Sequence, residues 1–253
     1  MKKVLNLMLL CATMALCLSS CSNEEKESAK LNRNELTLTV GQSAKLLYDG
    51  DCTWKSDEPL IAEVDNDGNV TANLVGETNI YANDEICRVT VEPLYDTYME
   101  PCLKWGASES DVMSFMDGYR YMGKDGEFLT FADLINEVMY MYRFDGGLVA
   151  SFMAADILTN GEEIANFILE RYVVVDVDEY DYTVYLTDID VTVMVGIYLD
   201  AETGIITVVY TPFTTEAKAY RPEIGYNEIL GKYAPANKVG ENKIKELIGK
   251  FKK

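Results

Sequence analysis

The side chains of this 253-residue chain that could do chemistry are carboxylates and thiols, because the sequence contains no histidine. Without an imidazole, a Ser-His-Asp or Cys-His nucleophile has no base, and the common zinc sites lose their usual ligand. The 42 Asp and Glu residues leave open a pair of acids that hydrolyses a glycan. With so many acids, the presence of a pair carries no information. We therefore expect a protein that is not an enzyme and has neither a metal nor a cofactor.

One cysteine stands in a context that suggests chemistry on its thiol. The first twenty residues comprise two lysines, an apolar stretch from Val4 to Leu18 and two serines, which is the pattern of a secretory signal. The four residues Leu18-Ser19-Ser20-Cys21 resemble the lipobox of bacterial lipoproteins. The resemblance implies that residues 1–20 are removed and that Cys21 carries acyl chains such as palmitate, which anchor the protein to a membrane. The alternative is a secreted protein whose cysteine lies near the cleavage site by chance.

A polar tether over residues 21–30 follows the anchor. Its acidic run, Ser22 to Glu27, resembles the export signal that some Gram-negative lineages place after the lipidated cysteine. The resemblance implies an outer-membrane lipoprotein that faces outward. A tether without any routing role would have the same composition.

The charge of the chain restricts its partners. Without residues 1–20 the chain keeps 20 basic and 42 acidic residues, a net charge of −22. A protein this acidic is a poor binder of nucleic acid or of an anionic bilayer through its surface field. The end of the chain differs, since residues 214–253 hold nine Lys or Arg and five Glu.

Short segments with alternating apolar residues over residues 31–93 predict a β-sandwich. Trp54 is expected in its core, and Asp65 to Gly68 in a hairpin turn. The spaced pattern resembles the bacterial immunoglobulin-like group 2 domain, which implies a spacer or adhesion module without catalytic residues. The positions that carry the resemblance are Leu36-x-Leu38-x-Val40-Gly41, Trp54-x-Ser56, Ile61-Ala62-x-Val64-Asp65, Gly68-x-Val70-Thr71-Ala72, Gly76-x-Thr78-x-Ile80 and Val89-x-Val91.

Beyond the signal and Cys21, three cysteines remain, Cys52, Cys87 and Cys102. An odd number in an oxidising compartment predicts one disulfide and one free thiol. If the strands that carry Cys52 and Cys87 meet at one end of the sandwich, these two form the disulfide. Cys102 is the rival partner of Cys87.

Residues 94–217 predict an α+β domain made of two units, each a helix followed by a meander of strands. Ser108 with Asp111 starts the first helix, whose apolar stripe is Val112, Phe115, Met116 and Tyr119; Thr159 with Glu162 starts the second. Adjoining the units builds one antiparallel sheet with both helices on one face. The order of elements resembles the tandem helix–meander fold of β-lactamase-inhibitor-protein-like envelope domains, which implies protein binding or a scaffold by analogy alone.

Three further features of this half are open to more than one interpretation. Its many tyrosines form a ligand platform or fill half-buried strands. Asp176 and Asp178 hold a cation or protect a strand edge. In the basic tail, residues 218–253, an amphipathic helix docks onto a membrane or a partner, docks back onto the acidic body, or remains a loosely held tail; its apolar stripe is Ile244, Leu247, Ile248 and Phe251.

These features predict a surface-exposed lipoprotein of the binding type, with a protein or glycan partner and ligand-binding residues that the sequence does not identify. One alternative is a structural component of the cell envelope that is held in a complex. Another is a carboxylate-based glycan hydrolase.

Overall fold

A computed structural model describes residues 30–178, 183–200 and 202–213, together with Glu246 and Gly249. The predicted signal peptide, Cys21 and most of the basic tail lie outside these residues. No helix in the described part of the chain is long and apolar enough to cross a bilayer.

The first domain is a β-sandwich of seven strands. One sheet has the order β1-β7-β6-β3 with β1 parallel to β7, and the other has the order β2-β5-β4. Alternate residues of the strands point between the two sheets, and the core includes Leu38, Val70, Ile80 and Val89. The strands are β1 Glu35–Thr39, β2 Ser43–Lys45, β3 Trp54–Ser56, β4 Ala62–Val64, β5 Asn69–Ala72, β6 Gly76–Ala82 and β7 Glu85–Glu92. The predicted sandwich is confirmed.

The predicted hairpin turn joins β4 to β5. The carboxylate of Asp65 accepts hydrogen bonds from the side-chain amide and the backbone N–H of Asn69 and from the N–H of Asp67, which lower its pKa. Gly68 has φ +81°, and a Cβ there would lie 2.7 Å from the ring of Trp54 and 2.6 Å from the carbonyl oxygen of Leu46. Glycine is therefore required both by the backbone and by the tryptophan. Trp54 is half-buried at the border of the core.

The second domain is one antiparallel sheet of eight strands, in the order β12-β13-β14-β15-β11-β10-β9-β8. Along the chain, each helix is followed by four strands, and the last strands of the two units, β11 and β15, pair at the centre. The elements are α1 Glu109–Phe115, β8 Arg120–Asp125, β9 Phe128–Asp133, β10 Val138–Phe144, β11 Leu148–Asp156, α2 Ile157–Leu169, β12 Val173–Asp178, β13 Thr183–Thr187, β14 Val193–Asp200 and β15 Ile205–Pro212. The two predicted helix–meander units are confirmed.

Both helices pack on the same face of this sheet, here called the inner face. Val112 and Met116 at α1 share one core with Ile164 and Phe167 of α2. The sheet contributes inward-pointing residues to that core, including the four core tyrosines Tyr140, Tyr142, Tyr172 and Tyr210. Of the ten tyrosines described in this domain, eight are buried or half-buried and two, Tyr121 and Tyr198, are exposed. This agrees with the interpretation that they fill half-buried strands.

Both helices begin or end differently from the prediction. The capping box of Ser108 and Asp111 is confirmed. Helix α1 ends at Phe115, so Tyr119 lies outside the helix. The side chain of Phe115, expected in the apolar stripe, is exposed. The predicted start of α2 at Thr159 is wrong. Asp156 caps this helix by accepting from the N–H groups of Leu158 and Thr159.

The domains are joined by a polar and an apolar contact. The buried Glu170, at the end of α2, accepts from the N–H groups of Leu94 at 2.9 Å and Tyr95 at 3.1 Å in the connection. Its backbone carbonyl accepts from the N–H of Val75 in the first domain at 2.8 Å. Beside it, a small cluster spans both domains and consists of Leu60, Leu74, Val173 and Ile189. The first domain therefore docks at the start of β12 and the β13–β14 turn.

Candidate functional site

The predicted disulfide between Cys52 and Cys87 is wrong, since Cys52, Cys87 and Cys102 are free thiols. On β6, Ile80 lies opposite Cys87 of β7 on one side and opposite Ser56 of β3 on the other. The intervening strand separates β7 from β3 by about 10 Å, and Cys52 precedes Ser56 by four residues. A disulfide needs Cα atoms within about 7 Å, so the two cysteines are out of reach.

The rival pairing with Cys102 is not formed either, because Cys102 lies in the core of the second domain and Cys87 in that of the first. Burial raises the pKa of the Cys87 thiol. A buried thiol with a raised pKa is a poor nucleophile. Cys87 is therefore a core residue and does not serve chemistry.

Among the described groups, the buried carboxylate of Glu170 comes closest to a general acid, but it already has hydrogen-bond and ion-pair partners. Besides the two N–H groups of the connection, it is paired with the guanidinium of Arg171, which also lies 3.9 Å from the ring of Phe167. Burial raises the pKa of all four core tyrosines, so these hydroxyls stay protonated at neutral pH. These groups hold the fold together. The described residues contain no cluster of three acids or thiols placed to bind a metal.

Four exposed apolar side chains lie on α1 and on the neighbouring edge strand β8 and its bulge, and we call them the distal patch: Met113, Phe115, Tyr121 and Met122. Because Val112 and Met116 of the α1 segment turn inward, Met113 and Phe115 turn toward solvent. An ion pair of 2.7 Å between Lys124 and Glu109 holds the strand to the first turn of the helix.

The strand β8 contributes both side chains and backbone to this patch. The ring of Tyr121 packs against Phe131 of β9 at a centroid distance of 5.4 Å. A bulge between Tyr121 and Gly123 leaves Met122 outside the regular pairing. Within the described residues, β8 pairs only with β9, so its other backbone edge is open. An open edge beside apolar side chains is suited to adding a strand from a partner.

The opposite edge of the sheet is different. Strand β12 carries the exposed Asp176, and its first residue, Val173, is buried against Leu60 and Leu74 of the first domain. Strand β12 is an edge strand, which agrees with the interpretation of the acidic stretch as a strand edge for Asp176, whereas residues 179–182 lie outside the described residues. The distal patch therefore lies at the edge of the sheet that is farther from the first domain, about 34 Å away across seven strand spacings.

The sheet also has an open outer face, opposite the helices. The strand registers align one row of residues across it, here called the central row: Thr130, Met141, Phe152, Val209, Gly196 and Tyr185. Its side chains are half-buried except at Gly196, which is buried because the ring of Tyr198 covers it.

Sequence reasoning missed both surfaces, although the sequence carries a signal for one of them. The run V-M-Y-M-Y-R-F of β10 is apolar at nearly every position, so both faces of that strand are apolar. A strand that covers a core with one face only would alternate with polar residues. The predicted anchor, Cys21, lies outside the described residues.

Comparison with known proteins identifies the first domain. Residues 24–88 match the family model described as bacterial Ig-like domain (group 2). The match ends within β7, so it covers most of the sandwich and none of the eight-stranded sheet. No curated protein matches the chain. The N-terminal domain of this protein is thus a bacterial immunoglobulin-like domain of group 2.

Proposed function

We propose that this protein is a lipoprotein of the Gram-negative cell envelope that is anchored through Cys21, faces outward and binds a partner. The observation that carries the binding role is the distal patch, where four exposed apolar side chains adjoin an open strand edge. Exposed apolar patches of this kind are typical of interaction sites. Immunoglobulin-like domains of group 2 are common in surface proteins, which supports the location.

The order of the parts along the molecule supports the same proposal. An anchor at Cys21 leaves the first domain nearest the membrane. That domain contacts the second domain at β12, and β8 lies at the opposite edge of the sheet. The distal patch then points away from the membrane, where a partner can reach it.

The chemistry of the patch favours a protein partner over a glycan. Methionine and phenylalanine offer apolar, adaptable contacts, and an open backbone edge offers hydrogen bonds to an extended peptide. Met113 and Phe115 add no hydrogen-bonding group for sugar hydroxyls. We therefore propose an extended segment of an envelope protein as the ligand.

The anchor is tested by metabolic labelling with palmitate. The wild-type chain incorporates the label, and Cys21→Ser abolishes it while the protein is still exported. External protease on intact cells then degrades the wild-type protein if it faces outward. Label that persists in Cys21→Ser refutes the anchor, and protection from protease refutes the outward orientation.

Binding is tested with the purified mature chain on envelope extracts and on a glycan array. We expect capture of an envelope protein by the wild type and its loss in Phe115→Lys/Met122→Lys. The matched control is Leu47→Lys, which changes an equally exposed apolar residue of the first domain and should leave binding intact. Binding to glycans alone, or equal binding by both variants, contradicts the proposal.

The alternative of a structural assembly component is separated by crosslinking in intact cells. That role requires a stoichiometric neighbour that survives solubilisation, whereas a binding protein exchanges its partner. A carboxylate-based hydrolase finds no support in the engaged carboxylate of Glu170.

A further inference from the structure

The outer face of the eight-stranded sheet has large apolar side chains at its centre and no cover among the described residues. At the centre of the central row, Phe152 lies opposite Met141 on one side and Val209 on the other. A neighbouring row includes Met139 and Tyr198, which are exposed. A further layer on this face would turn the two layers, helices and sheet, into three.

The chain itself continues from the middle of this sheet. Strand β15, fourth from the β12 edge, ends at Pro212, and 40 residues follow Phe213. Residues 214–240 alone can span up to about 90 Å, which exceeds the distance to any point of the face. The last residues are therefore tethered beside the outer face at high effective concentration.

The end of the chain has the pattern of a segment that covers an apolar surface. Ile244, Leu247, Ile248 and Phe251 recur at the spacing of one helical face. Glu246 and Gly249 are helical, and Glu246, which is not part of that stripe, is exposed. Thirteen helical residues measure about 20 Å, and the central row extends over five strand spacings, about 24 Å.

Charge favours this segment over other occupants. Residues 214–253 carry nine basic and five acidic residues, whereas residues 21–213 carry 11 basic and 37 acidic ones. Asp176 and Asp200 are exposed at the border of the outer face, and Asp200 has a pKa lowered by hydrogen bonds from Thr203 and the N–H of Glu202. A second copy would bring the same acidic border and be repelled. Lysines on the polar face of the helix would instead meet these carboxylates.

We propose that residues 241–253 form an amphipathic helix that docks on the outer face of the eight-stranded sheet of the same chain. Ile244, Leu247, Ile248 and Phe251 cover the central row and Met139. The second domain then has helices on both faces of its sheet. This docking does not depend on the distal patch, which lies where α1 and β8 meet at the sheet edge.

The experiment measures methionine oxidation by hydrogen peroxide in the purified mature chain, since oxidation follows exposure. The matched probes are Met139, which is 45 % exposed, and Met113, which is 46 % exposed in the distal patch. If the helix docks, Met139 oxidises at least about fivefold more slowly than Met113. In Leu247→Lys/Ile248→Lys the two rates converge. The control Lys245→Gln keeps the apolar stripe and the protection of Met139.

Each other outcome overturns the proposal. Equal rates for Met139 and Met113 in the wild type mean that nothing covers the outer face. Protection that disappears on dilution assigns the face to a second copy. Protection that survives Leu247→Lys/Ile248→Lys assigns it to another segment, and protection that requires added vesicles of anionic lipid assigns the helix to a membrane. Capture by the distal patch is measured separately, so the two proposals fail independently.

Discussion

Replacing Glu170 with alanine should destabilise the protein at the junction of its domains. The substitution removes the acceptor of the N–H groups of Leu94 and Tyr95, which lie 2.9 and 3.1 Å from the carboxylate. It also leaves Arg171 without its partner, although that guanidinium keeps the carbonyl of Phe167 at 2.8 Å. A hydrogen bond to a buried charged group contributes about 1.5–3 kcal/mol.

The expected total follows from the exposure of each partner. The connection at Leu94 is exposed, so water replaces part of the lost bond there, whereas the bond to Tyr95 is lost in full. We expect Glu170→Ala to lower the free energy of unfolding by about 3 kcal/mol. The control is Glu77→Ala, which breaks an exposed ion pair with Arg88 and should cost at most about 1 kcal/mol.

The assay is urea denaturation followed by tryptophan fluorescence. The chain has two tryptophans, Trp54 in the first domain and Trp105 in the second, so the variants Trp54→Phe and Trp105→Phe each report one domain. We expect coincident midpoints for the two domains with Glu170 present and separate midpoints in Glu170→Ala. A loss no larger than that of Glu77→Ala, with the midpoints still together, would refute the role of Glu170 in joining the domains.

Three other perturbations have defined outcomes. Gly68→Ala should lower the free energy of unfolding, measured by thermal or urea denaturation, by about 3 kcal/mol, because the new Cβ would meet Trp54 and a backbone carbonyl. The control Gly41→Ala, at φ +83° but in open space, should lower it by about 1 kcal/mol. Equal losses in the two variants would contradict this account. Burial raises the pKa of the core tyrosines, so their contribution to stability is complete below about pH 10 and declines above it as the unfolded chain ionises. Tyrosinate absorbance should therefore rise together with unfolding, and gradual ionisation in a folded protein would refute the burial. Alkylation without reductant should modify Cys52 in the native protein and the other two thiols only after unfolding; a mass lower by two hydrogens would reveal a disulfide.

The first domain could be predicted well because its sequence repeats one signal. Residues that alternate along short strands, separated by turns such as Asp65 to Gly68, leave a sandwich as the main way to bury one face of every strand. The disulfide could not be predicted, because sequence spacing does not reveal that β6 lies between β7 and β3.

The helices of the second domain show where local signals compete. Asp156 and Thr159 are both good capping residues. Asp156 caps the helix because its carboxylate accepts hydrogen bonds from two N–H groups. The stripe predicted for α1 fails after one turn, since the helix ends at Phe115 and Tyr119 leads into β8. Phe115 is exposed in the distal patch because the buried side of α1 is centred on Val112 and Met116, so local signals alone were not enough to find the candidate site.

The two edges of the eight-stranded sheet also determine how copies of this protein can associate. Growth of a fibre through strand pairing requires two open edges on each copy, one to accept and one to donate. Strand β12 bears the exposed Asp176, and its beginning is buried against the first domain at Val173, so among the described residues β8 is the less protected edge of this sheet. Pairing of β8 with β8 uses that edge on both copies and produces a dimer. Strand pairing through this sheet therefore favours pairs of copies over chains.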